Sequence, residues 1–169
     1  MKQSELNHIL NQHRLWLESN GNQGKRADLT GAYLTGAYLD GAILDGANLA
    51  DANLRSANLT GADLSDANLS GANLTDANLS DANLSGTYLI IANLAGVDLS
   101  GAYLRGAYLR GANLHDANLH DANLTGANLI GANLNSKWMY RTKVDQSQLS
   151  WLATDPNFCD CVNQLIIYD

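Results

Sequence analysis

Four histidines and two cysteines hold the widest chemical repertoire in this 169-residue chain, and their spacing limits what they can do. His115 with Asp116, and His120 with Asp121 five residues later, twice set an imidazole beside a carboxylate, a pairing suited to general-base work or metal binding. Such chemistry needs a cleft that excludes water and draws the groups together. His13 stands at helical spacing among Leu6, Ile9, Leu10 and Leu17, where a histidine is expected to pack or cap. Cys159 and Cys161 lie too close for an ordinary disulfide, and one C-x-C without a second His or Cys pair does not make a zinc site. Free thiols are expected. The chain contains no G-x-S-x-G, P-loop or H-E-x-x-H, and its glycines lie outside any strand-turn-helix nucleotide fingerprint. The expectation is a protein that is not an enzyme, with no catalytic residue, cofactor or metal.

The elements that carry the paired histidines follow a strict beat. From Ala27 to Ser136 the chain reads A-x-L-x-x without a gap through 22 repeats, with Leu at every fifth position from Leu29 to Leu134. Ala stands two residues before that Leu except at Thr87 and Val97. An α-helix is excluded, because five residues advance about 140° and would scatter the leucines round its circumference. A straight strand fails as well: Ala and Leu share a face, but the next Ala, three residues on, would fall on the other. The chain must bend once per pentad, always in the same sense, and so coil upon itself. The bend residues agree, since the second after Leu is mostly Gly, as at Gly31 and Gly106, or Asp, as at Asp51 and Asp121. Gly permits the positive φ of a type II turn, and Asp braces a turn through its side chain.

The tandem A-[ND]-L-x-[GD] motif, as in Ala67-Asn68-Leu69-Ser70-Gly71, resembles the pentapeptide repeat family over about two thirds of the chain. The resemblance implies four pentads per coil and an all-β fold, a right-handed quadrilateral β-helix with N-terminal and C-terminal α-helical caps. Its inward leucines would each contribute about 1.5 to 3 kcal/mol of gross burial energy.

An open stack of coils needs covers, and the sequence changes character where they belong. Residues 1–24 read as a capping helix and linker, with Ser4 as N-cap and Asn20-Gly21 as the stop; His13-Arg14-Leu15-Trp16-Leu17 also resembles the helical lead-in of some family members. Residues 25–144 form the β-helix, degenerate after Ser136, where Met139 and Val144 keep the beat. Residues 145–169 read as C-terminal capping helices. Asp145 can N-cap the first with Gln148 as its capping-box partner, and Asp155-Pro156 can begin a second with Phe158, Cys161, Val162, Leu165 and Ile166 on one face.

With the core assigned, function falls to the outward residues. Asn columns such as Asn53, Asn73, Asn93, Asn113 and Asn133 suggest ladders between coils. In the repeats, 11 Asp face 3 Arg, and the whole chain carries a net charge of −7 with a pI near 4.8, which disfavours nucleic acid and anionic membranes as direct partners. Stacking by twenty sets Tyr88 over Tyr108, and Ile90, Arg110 and Ile130 in the next column. Ile91 lies at the adjoining corner, with Tyr103 and Arg105 on the preceding face. Aromatic, aliphatic and Arg side chains of this kind mark interface hot spots, so these eight are the candidate partner-binding residues. Tyr33, Tyr38 and Ile43 form a second cluster, expected to pack under the N-terminal helix.

The expected function is a cytoplasmic interaction scaffold, monomeric or weakly dimeric end to end, that binds another protein. The cytoplasm is expected because Met1 to Glu18 lacks a continuous apolar run. The alternative is resemblance to the family members that imitate DNA and modulate type II topoisomerases such as gyrase. The acidity fits that subset, but the uniform Leu core, where the subset often has Phe, departs from it.

Overall fold

Each pentad is a short extended segment over its Ala, the next residue and Leu, followed by a turn. The Leu carbonyl accepts from the N–H of the next Ala, as Leu29 does from Ala32 at 3.0 Å, and the residue before that Ala has positive φ. This is a type II turn, whose third residue must be left-handed. Gly fills most of these positions, and Asp51, Asp66, Asp76 and Asp81 fill others at φ between 52° and 58°.

The computed structural model describes residues 1–134, 139–148 and 165–168. Parallel bridges join each residue before Leu to its counterpart twenty positions on, as Asn48 to Asn68 and Asn68 to Tyr88, so four pentads close one coil of a β-solenoid. Side 1 carries the Leu29, Leu49 and Leu69 series, side 2 begins at Leu34, side 3 at Leu39 and side 4 at Leu44. The leucines and nearly all the alanines are buried in one core running the length of the stack. Thr87 and Thr142, which replace Ala, are buried too; each hydroxyl donates at 2.7 Å to a carbonyl of the coil below, Leu64 and Leu119 respectively. A core hydroxyl with a partner costs little.

Hydrogen bonding accounts for all five N–H groups of a pentad. In the pentad Ala67–Gly71, Ala67 donates to Leu64, Asn68 to Ala47 of the coil below, and Leu69 and Gly71 to Tyr88 and Ile90 of the coil above. The remaining N–H, on Ser70, points back at its own pentad and is taken by Asn68 Oδ1 at 3.1 Å. The same Asx brace recurs with Thr75 on Asn73, Ser80 on Asn78 and Ser100 on Asp98. Bracing the turn is thus the common role of these Asn residues. Links between coils also occur, as from Asn68 to Asn48 at 3.2 Å and from Asn133 to Asn113 at 3.1 Å, so the ladder reading holds in part.

Helix α1 spans Gln3–Glu18 and lies against the first coil. Leu6 and His13 are buried and Ile9 and Leu10 pack against the core, matching the apolar face expected from the spacing. Its N-cap is Lys2, not Ser4. The start is drawn earlier by contacts with the coil: the Met1 amino group donates to the Tyr33 carbonyl at 3.0 Å, and Gln3 Nε2 to the Tyr38 carbonyl at 3.1 Å. Gly24, at φ 68°, passes so close to the helix that a Cβ would collide with the Gln12 carbonyl oxygen. Tyr33 and Tyr38 were expected under this helix, yet their side chains are 77% and 71% exposed, and Ile43 is exposed as well. The helix engages the tyrosines' backbone and leaves the rings outside.

At the other end β1 (Lys143–Asp145) continues side 4 and pairs in parallel with β2 (Ile166–Tyr168). Residues 146–148 take up helical conformation after Asp145, and Gln148 and Asp145 exchange the capping-box bonds, at 2.8 and 3.0 Å. The buried Gln148 amide also donates to the carbonyls of Leu124 and Ala127, which no regular coil covers. Ile166, expected on the face of a final helix, is in a strand instead: the last coil leaves hydrogen-bonding groups open, and Ile166 N–H takes the Thr142 carbonyl at 2.9 Å. The helix expected from Asp155, with Cys159 and Cys161, otherwise lies outside the described residues. No described helix is long and apolar enough to cross a membrane.

His13 joins helix to coil in a way that acid should break. Its Nδ1 accepts the Ala27 N–H at 3.1 Å, its ring stacks on Trp16, and among the described residues buried Nε2 has no hydrogen-bond partner. Burial holds the imidazole below its ordinary pKa of 6.5, against an opposing pull from the Asp45 backbone and carboxylate and aided by Arg26. The unfolded chain therefore binds this proton more readily than the fold, so the contribution is complete above pH 6.5 and declines as pH falls below it. Urea midpoints should drop between pH 7 and pH 5, and His13→Gln, whose amide oxygen can still accept from Ala27, should flatten that drop.

Candidate binding face on sides 4 and 1

Sixteen of the 22 regular pentads place Asn or Asp before Leu; the other six have Tyr33, Tyr38, Ile43, Tyr88, Tyr103 and Tyr108 there. None of these six side chains can supply the Asx acceptor, because a phenol cannot fold back on its own turn and Ile has no acceptor. Among the described residues the N–H groups of Ile90, Arg105 and Arg110 consequently have no hydrogen-bond acceptor. Each lost brace forgoes about 0.5 to 1.5 kcal/mol. A departure with that cost needs some other reason to persist.

Three of the six, Tyr88, Tyr103 and Tyr108, come together where sides 4 and 1 meet. The rings of Tyr88 and Tyr108 stack at 4.8 Å between centroids and 7° between planes, one coil above the other, with each residue 42% exposed. Stacking returns about 0.5 to 1.5 kcal/mol and fixes both rings as one flat plate. Ile90 is half-buried in the neighbouring column, while Arg110 and Ile130 above it are exposed. Tyr103 and Arg105 are exposed on side 4. The side chains that stacking by twenty predicts as neighbours are thus gathered on two adjoining sides.

Ile91 adds a backbone signal. It occupies a left-handed turn position at φ 59° with its side chain 72% exposed. A β-branched residue there costs about 1 to 2 kcal/mol relative to Gly. Gly111 above it leaves room, with Ile91 Cγ1 at 3.7 Å from where a Gly111 Cβ would stand. Strain and apolar exposure coincide at one residue beside the tyrosine pair, the combination that marks functional positions.

The histidine–aspartate pairs do not converge. His115 Nδ1 lies 3.1 Å from Asp116 and His120 Nδ1 3.1 Å from Asp121, each pair in its own turn and half-exposed. Asp121 also pairs with Arg141 at 2.8 Å, and His120 stacks on Tyr140. Among the described residues no three His, Cys, Asp or Glu side chains are grouped to hold a metal. Two open cavities lie at the ends of the stack, away from these histidines. One of about 360 Å³ is lined by Leu129, Ile130 and Gln148, the other of about 300 Å³ by His8, Gln12 and Arg26.

The family description "Pentapeptide repeats (8 copies)" matches residues 25–61, 52–89 and 92–129. Among solved structures, the chain is similar to HetL, a pentapeptide repeat protein involved in heterocyst differentiation regulation from the cyanobacterium Nostoc sp. strain PCC 7120. The identity is 39%, over 70% of this chain and 62% of that one, with a TM-score of 0.33. It is also similar to the pentapeptide repeat protein Rfr23 from the cyanobacterium Cyanothece 51142, at 38% identity over 62% of this chain and 61% of that one, TM-score 0.37. A more distant likeness is full-length QnrB1, a plasmid-mediated fluoroquinolone resistance protein, at 16% identity over 70% and 73%, TM-score 0.35. The chain spans about three fifths of the length of the first two. No curated protein matches it.

The cost assigned to these departures can be measured. Tyr103→Asn should install an acceptor for the Arg105 N–H, and Ile91→Gly should remove the left-handed strain. Each is expected to raise the unfolding free energy by about 1 kcal/mol at unchanged urea m-value, whereas Asn78→Ala should lower it by about as much.

Proposed function

Because the chain belongs to the pentapeptide repeat family, we propose that it is a non-enzymatic scaffold that binds a protein partner through sides 4 and 1 of a right-handed β-solenoid. The interface comprises Tyr88, Ile90, Ile91, Tyr103, Arg105, Tyr108, Arg110 and Ile130. In this reading residues 1–24 and 145–169 close the ends and 25–144 form the solenoid, a cytoplasmic rod, monomeric or weakly paired end to end. The observation that carries the reading is the exposed Tyr88–Tyr108 stack, gained where two turns give up their side-chain brace, with the strained Ile91 beside it. A rigid, extended surface suits recognition of this kind.

A non-enzymatic role is supported by the histidine–aspartate pairs, which stand on open turns and face no shared cavity. The DNA-imitating alternative draws on the net charge of −7. It finds less support, since a stacked aromatic plate with two Arg beside it has no counterpart in a phosphate backbone.

The test is a variant that restores the repeat consensus at four positions: Tyr88→Asn, Ile90→Ser, Tyr108→Asn and Arg110→Ser. Its circular dichroism should match the wild type and its melting temperature should be equal or higher, since two turn braces replace one ring stack. Partners captured by the wild-type protein from lysate of the source cell should be absent from the variant by mass spectrometry. Identical sets of captured proteins would remove the proposal.

A further inference from the structure

Charge is divided between opposite halves of the solenoid. On sides 4 and 1, the stack made by residues 67–71, 82–91, 102–111 and 122–131 contains no Asp or Glu, and its charged residues are Arg105 and Arg110. On sides 2 and 3, residues 72–81, 92–101 and 112–121 contain Asp76, Asp81, Asp98, Asp116 and Asp121 and neither Arg nor Lys, and of these Asp121 is paired with Arg141 of the next coil. The overall acidity hides this division. The acid-free stretch is bounded below by Asp51 and Asp66, whose carboxylates lean over Gly71 and Gly86, and above by Asp145, which is occupied in accepting from Gly126, Ser147 and Gln148.

The edge between sides 4 and 1 is bare at Gly106, at φ 68°, so no side chain separates Tyr103 and Arg105 from Tyr108 and Arg110, whereas the Asp66 carboxylate covers Gly86 and Asp145 holds the Gly126 N–H. The two sides make one surface, apolar and aromatic at its centre, with a guanidinium in each half. A partner rich in Lys or Arg would be drawn to Asp76, Asp81, Asp98 and Asp116 of sides 2 and 3, away from the tyrosines. An acidic partner would be repelled there and could approach closely only across sides 4 and 1, where Arg offers paired donors to a carboxylate.

We propose that the surface of sides 4 and 1 receives a protein segment carrying Asp or Glu beside aromatic or branched aliphatic residues, held by Arg105 and Arg110 over the Tyr88–Tyr108 plate. This rests on the reading of that surface as the interface, and the experiment separates the two. Random peptides of roughly twelve residues, long enough when extended, at about 40 Å, to run the height of the stack, are displayed and selected on the wild-type protein. They are then counter-selected on Tyr88→Asn/Tyr108→Asn, which restores the turn braces and so keeps the fold. The peptides that survive should be net negative and contain Phe, Tyr, Trp, Ile or Leu. By fluorescence anisotropy, Arg105→Ala/Arg110→Ala should weaken the best of them about tenfold or more and reduce its salt dependence. Surviving peptides with net positive charge, or an arginine variant that binds equally well, would overturn the acidic partner while leaving the interface in place. Displacement of the peptide by an oligouridylate, in a manner dependent on Arg105 and Arg110, would overturn it in favour of RNA. If no peptide distinguishes wild type from the tyrosine variant, the interface reading itself fails.

Discussion

The whole structure depends on where five backbone N–H groups per pentad find acceptors. One closes the turn and three reach the coils above and below, and this fixes the twenty-residue pitch, the single direction of bending and the inward Ala and Leu. The fifth has no backbone partner within reach. It depends on the side chain two residues before it, which is why Asn or Asp dominates a position that faces outward and would otherwise vary freely. Hydrophobic burial drives the coil together, but the hydrogen-bond count decides its shape.

The same count shows where the chain departs from its own optimum. Tyr33, Tyr38 and Ile43 give up the brace on the first coil, and there α1 uses the backbone of the tyrosines: Tyr33 and Tyr38 offer their carbonyls to Met1 and Gln3. Tyr88, Tyr103 and Tyr108 give it up on the fourth and fifth coils, where no helix lies against them among the described residues. Their departure is accompanied by a ring stack, a left-handed Ile and two Arg on a surface without carboxylates. Proteins that hold strain and forgo stability at one place commonly do so for function.

Much of this was legible in the sequence. A five-residue beat cannot be a helix or a flat strand, so the Leu and Ala positions gave the core, and spacing by twenty placed Tyr88 over Tyr108 once the family resemblance supplied four pentads per coil. The apolar face of α1 and the Asp145–Gln148 box were legible from local patterns. What the sequence hid was conformational. The Asn columns suggested ladders, and only the geometry shows that Oδ1 turns back on its own pentad. Covering of Tyr33 and Tyr38 was inferred from proximity, whereas the helix binds their backbone. Ser4 resembled an N-cap, but contacts with the coil set the helix start at Gln3. Ile166 fits a helical stripe, yet the open edge of the last coil draws it into a strand. Strain at Ile91 needed a dihedral angle. The division of charge was present in the sequence but is visible only when residues are counted by side.

Amide hydrogen exchange, read residue by residue, tests most directly whether the outward Asn and Asp residues complete the backbone and the tyrosines leave it incomplete. The N–H groups of Ile90, Arg105 and Arg110 should exchange markedly faster than those of Ser70, Thr75, Ser80 and Ser85, which sit at the same turn position with the acceptor in place. Equal protection at both sets would contradict the account, since the turns beside Tyr88, Tyr103 and Tyr108 would then have lost nothing.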